Sequence, residues 1–271
     1  MSILEAIVLG IIQGLTEFLP ISSTGHLRIV PAFVGWEDPG AAFTAVTQLG
    51  TLAAVVIYFR RDIVEIVTAW VASLHDPSRR SGPKARLGWY ILLGTIPIVI
   101  FGVVFSDQIE NGARSLRLIG TTLIVLGLVL LVAEKVGKRT RPIESLRWRD
   151  GIAIGLAQAA ALVPGVSRSG ATLTAGLFLG LERAAAARYS FLLSIPAVVL
   201  SGLYELKDIG GENHASVGMT VIATILAFVA GYASIAFLLR FLANHTVYVF
   251  VAYRVVLGAV VLGLAYSGVI D

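Results

Sequence analysis

The sequence of 271 residues contains no cysteine, and only 14% of its residues are charged. The absence of cysteine excludes disulfide bonds and metal sites built on thiolates. The sequence also lacks a phosphate-binding glycine loop of the Walker type and the His-Glu-x-x-His pattern of zinc proteases. These absences argue against transport driven by nucleotide hydrolysis and against zinc-protease chemistry.

Apolar sequence, in contrast, is abundant. Hydrophobic residues make up 56% of the chain, and its mean hydropathy is +0.85, well above that of a soluble domain. Six segments are apolar over the roughly 20 residues that a helix needs to cross a bilayer. They are residues 41–59, 87–105, 116–134, 186–205, 216–241 and 247–267. The composition therefore predicts an all-α integral membrane protein with six transmembrane helices in a single membrane domain.

Two further apolar stretches, residues 3–33 and 151–181, are interrupted near their middles by polar turn sequences. The interruptions are residues 20–25 and 164–170. Each half is too short to span a bilayer, and irregular backbone at membrane depth is tolerated only where it is buried in protein or lines a cavity. We therefore predict that each stretch forms a re-entrant helix hairpin, which enters and leaves the membrane on one side.

The two interrupted stretches resemble one another. Gly, Gln, Pro, Ser and Gly occur in the same order in residues 10–26 and 155–170, with a shift of one residue around the proline. Each half of the chain, about residues 1–135 and 150–271, then holds one hairpin and three spans. Because three is an odd number, the two copies must lie in opposite orientations. The sequence thus predicts an inverted-topology repeat, in which broken helices meet near the midplane and form the ligand site.

The basic residues predict the orientation of the chain. Of its 21 Lys and Arg residues, 15 fall in segments that we expect on the cytoplasmic side, chiefly residues 60–86 and 135–149, and four fall outside. This bias follows the positive-inside rule. It predicts both termini outside, the first hairpin entering from outside and the second from the cytoplasm. The net charge of +4 is explained by topology and does not indicate nucleic-acid binding.

The second interruption combines hydroxyl groups with one guanidinium. Backbone N–H groups at a helix start, hydroxyls and a planar guanidinium together form a cradle for phosphate oxygens. The predicted phosphate contacts are Ser167, Arg168, Ser169, Gly170 and Thr172. The alternative is a hinge turn, in which the serines cap the following helix and Arg168 extends to the membrane interface.

The first interruption supplies a carboxylate, hydroxyls and an imidazole. Gln13 and Glu17 lie four residues apart on one helical face, and the polar residues after the break are Ser22, Ser23, Thr24 and His26. Ser22 and Thr24 are predicted to contact phosphate. Glu17 is predicted either to bind a divalent cation, with Gln13 as a second ligand, or to act as a general base. Either Ser23 or a water attacks phosphorus, and His26 shuttles the proton.

Structural alternatives exist for several of these residues. Glu17 can pair with Arg168 as a buried ion pair, His26 can be a satisfied core residue, and Gln13 can hydrogen-bond across the repeat to Gln158. Arg254, which lies inside the last predicted span, is expected to pack against a carbonyl or a lipid headgroup more readily than to take part in catalysis.

The motif Gln-Gly-Leu-Thr-Glu-Phe-Leu-Pro-Ile-Ser-Ser-Thr-Gly-His at residues 13–26 and the motif Pro-Gly-Val-Ser-Arg-Ser-Gly-Ala-Thr at residues 164–172 resemble the two signature motifs of the undecaprenyl-diphosphatase family, also called bacitracin-resistance proteins. The resemblance covers essentially the whole chain. It implies removal of the terminal phosphate from undecaprenyl diphosphate, which recycles the lipid carrier of peptidoglycan synthesis. It also implies a site that opens to the outer face of the bacterial inner membrane.

The resemblance implies roles for individual residues as well. Glu17, Ser23, His26 and Arg168 would form the catalytic centre. Dependence on magnesium or calcium is implied too, although many family members have Glu where this chain has Gln13, which weakens a metal site built on two carboxylates. The expected partners are a polyprenyl diphosphate lipid and the bilayer, and a homodimer is compatible with the prediction. The alternative function is a secondary transporter or flippase of a lipid phosphate, because broken helices in inverted repeats are typical of transporters.

Overall fold

The computed structural model describes residues 1–105, 115–205 and 217–270, whose secondary structure is helical apart from one isolated bridge between Arg141 and Leu181. Two short 3-10 helices cover Pro77–Ser81 and Ile143–Ser145. The α-helices are α1 (Ile3–Phe18), α2 (Ser23–Val34), α3 (Gly40–Tyr58), α4 (Arg60–His75), α5 (Pro83–Val104), α6 (Leu116–Val136), α7 (Trp148–Ala160), α8 (Arg168–Phe178), α9 (Arg183–Glu205), α10 (Val217–Asn244) and α11 (Tyr248–Tyr266).

Five of these helices, α5, α6, α9, α10 and α11, are long and apolar enough to cross a membrane. Their outer faces expose large apolar side chains, such as Val132, Val229 and Val256, which water would not solvate favourably. The chain is therefore a multi-pass integral membrane protein, as predicted. The remaining predicted span corresponds to α3, whose apolar part, Phe43–Tyr58, is shorter than the other five helices.

Each interrupted apolar stretch forms a helix, a turn and a second helix. The first break separates α1 from α2, and the second break separates α7 from α8. In both pairs the two helices contact each other. The proline and serine of each motif lie at the breaks, as predicted, but α2 begins at Ser23 and α8 at Arg168, inside the predicted interruptions 20–25 and 164–170. The helices begin this early because Ser22 and Ser167 are the capping residues, and serine is a preferred helix cap.

The two breaks share their local geometry as well. The capping residues, Ser22 and Ser167, have positive φ angles of 75° and 70°. Each hydroxyl accepts a hydrogen bond from the amide of the glycine three residues later, at 3.3 Å from Gly25 and at 3.1 Å from Gly170. A positive φ is strained for a serine. Because it occurs at the same position of both breaks, the two breaks share one local backbone conformation.

Matching glycines let the first helix of each hairpin pack closely against a long helix. A Cβ at Gly10 of α1 would lie 2.5 Å from the carbonyl oxygen of Ala223 in α10, and a Cβ at Gly155 of α7 would lie 2.4 Å from that of Gly94 in α5. Such close approach is the usual mode of packing between membrane helices. Both hairpins are thus fixed inside the helix bundle.

Candidate active site

The two breaks meet inside the protein. A guanidinium nitrogen of Arg168 donates a hydrogen bond to Oε1 of Glu17, and the Ser169 hydroxyl donates to the carbonyl oxygen of Leu19 at 3.0 Å. The start of α8 therefore lies against the end of α1. Residues about 150 positions apart in sequence share one site, as the predicted meeting of broken helices requires.

Glu17 is the centre of the hydrogen-bond network. Its carboxylate is buried, with the side chain 5% exposed. Oε2 accepts from the Ser23 hydroxyl at 2.6 Å and from the Gln13 amide at 3.0 Å, and Oε1 accepts from Arg168 and from Gln48 at 3.4 Å. These four donors compensate the loss of hydration and hold the carboxylate in one orientation. The ion pair with Arg168, weighed above as a structural alternative, is present.

Ser23 combines a reactive position with a proton acceptor. It is the first residue of α2 and is partly exposed, and the next residue, Thr24, is exposed. The first amide groups of a helix have no partner within that helix, and its dipole favours anions. A hydroxyl at this place can approach a bound phosphate while Glu17 takes its proton.

His26 occupies a different environment from the one that the sequence predicts. Its Nδ1 donates to the carbonyl oxygen of Ser22 at 2.7 Å, because a carbonyl can only accept, and its Nε2 lies 2.6 Å from the hydroxyl of Tyr253. Both ring nitrogens are thereby engaged, and the ring is 5% exposed. Ser23 donates to Glu17 and not to His26, so the expected proton transfer between Ser23 and His26 does not correspond to the observed hydrogen bonds.

Most predicted phosphate contacts of the second break are engaged within the protein. Ser167 caps α8, and the Gly170 amide donates to it. Thr172 donates to the Arg168 carbonyl at 2.8 Å and lies 2.5 Å from the Ser190 hydroxyl. In the first break, Ser22 is likewise a cap. The capping role, which was the structural alternative, is thus observed for both serines, while phosphate binding by these groups stays a prediction.

Arg168 itself is less enclosed than the hydroxyls around it. Its side chain is 16% exposed, and besides Glu17 it donates to the carbonyl oxygen of Ser194 at 3.4 Å. A guanidinium has five N–H groups in one plane, so these two contacts leave donors for phosphate oxygens. Its guanidinium is held by Glu17 and Ser194 inside the site.

Gln13 offers a feature that fits a cation. Its Oε1 is buried beside Glu17 and has no hydrogen-bond partner among the residues that the structure describes. An amide oxygen next to a carboxylate is a suitable pair of oxygen ligands for magnesium or calcium. Among the residues that the structure describes, no group of three or more His, Cys, Asp or Glu residues is placed to hold a metal. Any cation would therefore depend on substrate oxygens for most of its ligands.

The hydrogen bond between Gln13 and Gln158, which was the structural alternative for Gln13, is not formed. Gln13 donates to Glu17, and neither side-chain atom of Gln158 has a partner within the described ranges. Sequence reasoning also missed three residues that contact the site, namely Gln48 of α3, Ser194 of α9 and Tyr253 of α11. Gln48 had a detectable signal, because a polar amide inside a predicted span is unusual.

Known proteins resemble this chain over nearly its full length. The family model described as "Bacitracin resistance protein BacA" matches residues 6–260. An undecaprenyl-diphosphatase from a Nocardioides species is 57% identical over 268 residues, which cover 98% of each chain. Undecaprenyl-diphosphatases from Thermobifida fusca and Mycolicibacterium smegmatis are 53% and 54% identical; the matches cover 100% of this chain and 92% and 99% of the relatives.

Proposed function

We infer that this chain, which belongs to the family of the bacitracin resistance protein BacA, removes the terminal phosphate from undecaprenyl diphosphate and regenerates undecaprenyl phosphate. Its full-length relatives are undecaprenyl-diphosphatases, and the enzyme is a phosphoric anhydride hydrolase of the lipid cycle in cell-wall synthesis. The observation that carries the mechanism is the hydrogen bond of 2.6 Å from the Ser23 hydroxyl to Glu17, beside the Arg168 guanidinium.

The first chemical step forms a phosphoserine. Glu17 accepts the proton of Ser23, and Oγ attacks the terminal phosphorus. The bond from this phosphorus to the bridging oxygen breaks, and its electron pair leaves with undecaprenyl phosphate. Arg168 donates to two non-bridging oxygens, since a planar guanidinium matches phosphate geometry and offsets its charge.

The second step hydrolyses this ester. A water adds to the phosphorus and leaves with it as dihydrogen phosphate, while the protonated Glu17 returns its proton to the departing Oγ of Ser23. The carboxylate and the hydroxyl are then restored. This sequence uses Glu17 first as a base and then as an acid, which its contact with Ser23 permits. If a water attacks undecaprenyl diphosphate directly, Glu17 activates that water and Ser23 is only a phosphate ligand.

A divalent cation is the part of the proposal that depends most on the family. Glu17 and the unpartnered Oε1 of Gln13 would hold it. When bound, it would offset charge on the diphosphate. Gln13→Leu removes this oxygen, so we expect the metal concentration that gives half-maximal activity to rise, whereas Gln158→Leu, the matched control in the other hairpin, should leave it unchanged. Full activity of the wild type in excess chelator would contradict a cation requirement.

We further propose that the chain is an inverted repeat of six spans and two re-entrant hairpins in the bacterial inner membrane, with the site open to the outer face. The matched capping serines, the matched glycine contacts and the charge bias of the loops support this arrangement. A homodimer stays a prediction.

Because the chain has no cysteine, single cysteines at Ser78 and at Asn111, which lies outside the described residues, can test the topology. An impermeant reagent should label only the second in intact cells, and labelling of both would contradict the model.

The direct test of function is phosphate release by purified protein in detergent. Turnover of a polyprenyl diphosphate there separates hydrolysis from transport, because transport requires a sealed bilayer. We expect turnover with the wild type and almost none with Ser23→Ala. Failure of the wild type to release phosphate, together with lipid movement in vesicles, would favour the flippase alternative instead.

A further inference from the structure

We propose that Arg254 is a positioning residue, which joins the two helix breaks and thereby sets the placement of Ser23 relative to Arg168. Arg254 lies in α11 and is 1% exposed, which makes it the largest fully buried side chain among the described residues. A guanidinium is expensive to bury without partners. Its retention at this place therefore calls for an explanation, and the contacts it makes supply one.

Every hydrogen bond found for the Arg254 side chain goes to a backbone carbonyl. One terminal nitrogen donates to Pro20, in the first break, at 3.2 Å. The other donates to Gly165 and Val166, in the second break, at 3.2 and 3.1 Å. The remaining contacts, to Thr122 and Leu123 of α6, are 3.4 and 3.2 Å long. A single planar group thus ties both breaks to each other and to α6.

These carbonyls explain why a cation is needed there. Pro20 lies in the turn after α1, and Gly165 and Val166 lie in the turn between α7 and α8. Carbonyl groups in such turns have no partner within a helix, and a buried carbonyl without a donor is costly. In the described part of the chain, no ion pair joins Arg254 to an acidic side chain. The carbonyl dipoles of the two breaks therefore take the place of a carboxylate.

The neighbouring backbone is shaped to admit this side chain. A Cβ at Gly170 of α8 would lie 2.8 Å from a terminal nitrogen of Arg254, and a Cβ at Gly127 of α6 would lie 3.2 Å from its Cβ. Thr122, five residues before Gly127, adds a further hydrogen bond from α6 to the second break, because its hydroxyl donates to the carbonyl oxygen of Pro164 at 2.8 Å. The second break is thus fixed from two sides.

The consequence for catalysis follows from sequence distance. Ser23 comes three residues after Pro20, and Arg168 comes two residues after Val166. A shift of either break moves the nucleophile relative to the guanidinium that binds phosphate, and a misplacement of about 1 Å can lower a rate by about a hundredfold. The hydrogen bonds of Arg254 go to carbonyl groups and not to the hydroxyls of the breaks, so it acts through the position of the breaks. This inference rests on the proposed phosphatase function for its kinetic part only.

The test uses Arg254→Lys, which retains the charge but has three tetrahedral donors and cannot reach carbonyls of both breaks in one plane. We expect kcat to fall on the order of a hundredfold while KM for a polyprenyl diphosphate changes little. Arg240→Lys, the same change at an exposed arginine of α10, should keep both constants. Equal kcat in the wild type and Arg254→Lys would overturn the proposal.

A distance measurement provides the readout that a general loss of stability would not give. Spin labels on cysteines at Thr24 and Val163, exposed residues of the two breaks, should report one narrow distance distribution in the otherwise wild-type chain and a broadened or displaced one with Arg254→Lys. An unchanged distribution would overturn the proposal. This result does not depend on activity, so it separates failure of the proposal from failure of the phosphatase function.

Gly127→Ala covers the case in which Arg254→Lys does not fold. The added Cβ would lie 3.2 Å from the Cβ of Arg254 and would press on this side chain from α6. The variant keeps the guanidinium group itself. We expect a several-fold loss of kcat, with the same broadening of the label distance. If the lysine variant does not fold, Gly127→Ala decides the matter. An unchanged kcat together with an unchanged label distance in Gly127→Ala would then overturn the proposal that Arg254 is a positioning residue.

Discussion

The first and second helix breaks have the same backbone and different chemistry. Both are capped by a serine with a φ near 70°, and in both the hydroxyl accepts from a glycine amide. The residue that follows the cap is Ser23 in the first break and Arg168 in the second. In the proposed mechanism, Ser23 is the nucleophile and Arg168 is the phosphate-binding cation, at matching places at the starts of α2 and α8.

The difference continues along the first helix of each hairpin. Gln13 and Gln158 occupy matching positions, but the carboxylate four residues later, Glu17, corresponds to Leu162. Gln13 is consequently held by Glu17, whereas both side-chain atoms of Gln158 lack a partner within the described residues. In the proposed mechanism, the carboxylate, the hydroxyl and the guanidinium that carry the reaction are therefore residues that differ between the two breaks.

The largest expected effect comes from removing the nucleophile. Ser23→Ala should lower kcat by about a thousandfold or more, because Ser23 is the hydroxyl that donates to the proposed base, Glu17, and its loss removes the nucleophile. Glu17→Gln should be similarly impaired, and the double variant should be little worse than the poorer single variant, since a nucleophile and its base act as one unit. Steady-state phosphate release measures all three. Substantial activity in Ser23→Ala would instead make water the nucleophile.

Substitution at the matching position of the second break should have the next largest effect. Arg168→Lys retains the charge but loses the bidentate geometry, so we expect kcat to fall about a hundredfold without unfolding. Melting temperature and phosphate release, measured on the same sample, distinguish the two outcomes. Turnover close to wild type in the lysine variant would show that Arg168 does not bind the phosphate. It would contradict the proposal that the first break supplies the nucleophile and the second the phosphate-binding cation.

The different chemistry of the two breaks could be predicted from the sequence in part. The polar motifs in apolar surroundings predicted both breaks and the convergence of Glu17, Ser23 and Arg168, because broken membrane helices need each other as partners. Sequence alone could not decide whether Ser22 and Ser167 cap helices or bind phosphate, since one hydroxyl suits both tasks. Nor could it find Tyr253, which contacts His26 from 227 positions away. Such pairings depend on tertiary packing.

Removing the capping hydroxyl of either break should have a smaller effect, and it compares the two capping serines directly. Ser22→Ala and Ser167→Ala each remove the acceptor for a glycine amide, so each should lower the free energy of unfolding by about 1 kcal/mol. Equal losses are expected because the two geometries match. Reversible denaturation in detergent compares them directly. If one variant loses most of its activity with no loss of stability, that serine is a phosphate ligand, as the sequence motif predicts, and its role is not only structural.

The smallest effect concerns the histidine of the first break, which has Ala171 as its counterpart in the second. Tyr253→Phe removes the hydroxyl partner of Nε2, and we expect a loss of about 1 kcal/mol in stability with a few-fold change in kcat. His26→Ala, measured beside it, should be the more impaired variant. A loss of kcat in Tyr253→Phe as large as that of Ser23→Ala would show that a proton passes through the Tyr253–His26 pair.

The stereochemistry of hydrolysis tests most directly whether the first break supplies a covalent nucleophile to a phosphate held by the second. A polyprenyl diphosphate whose terminal group is a chiral, isotopically labelled thiophosphate can be hydrolysed and the configuration of the released thiophosphate determined. Two successive displacements, first by Ser23 and then by water, each invert the phosphorus, so the account predicts net retention. Net inversion would show a single displacement by water and would contradict the phosphoserine mechanism.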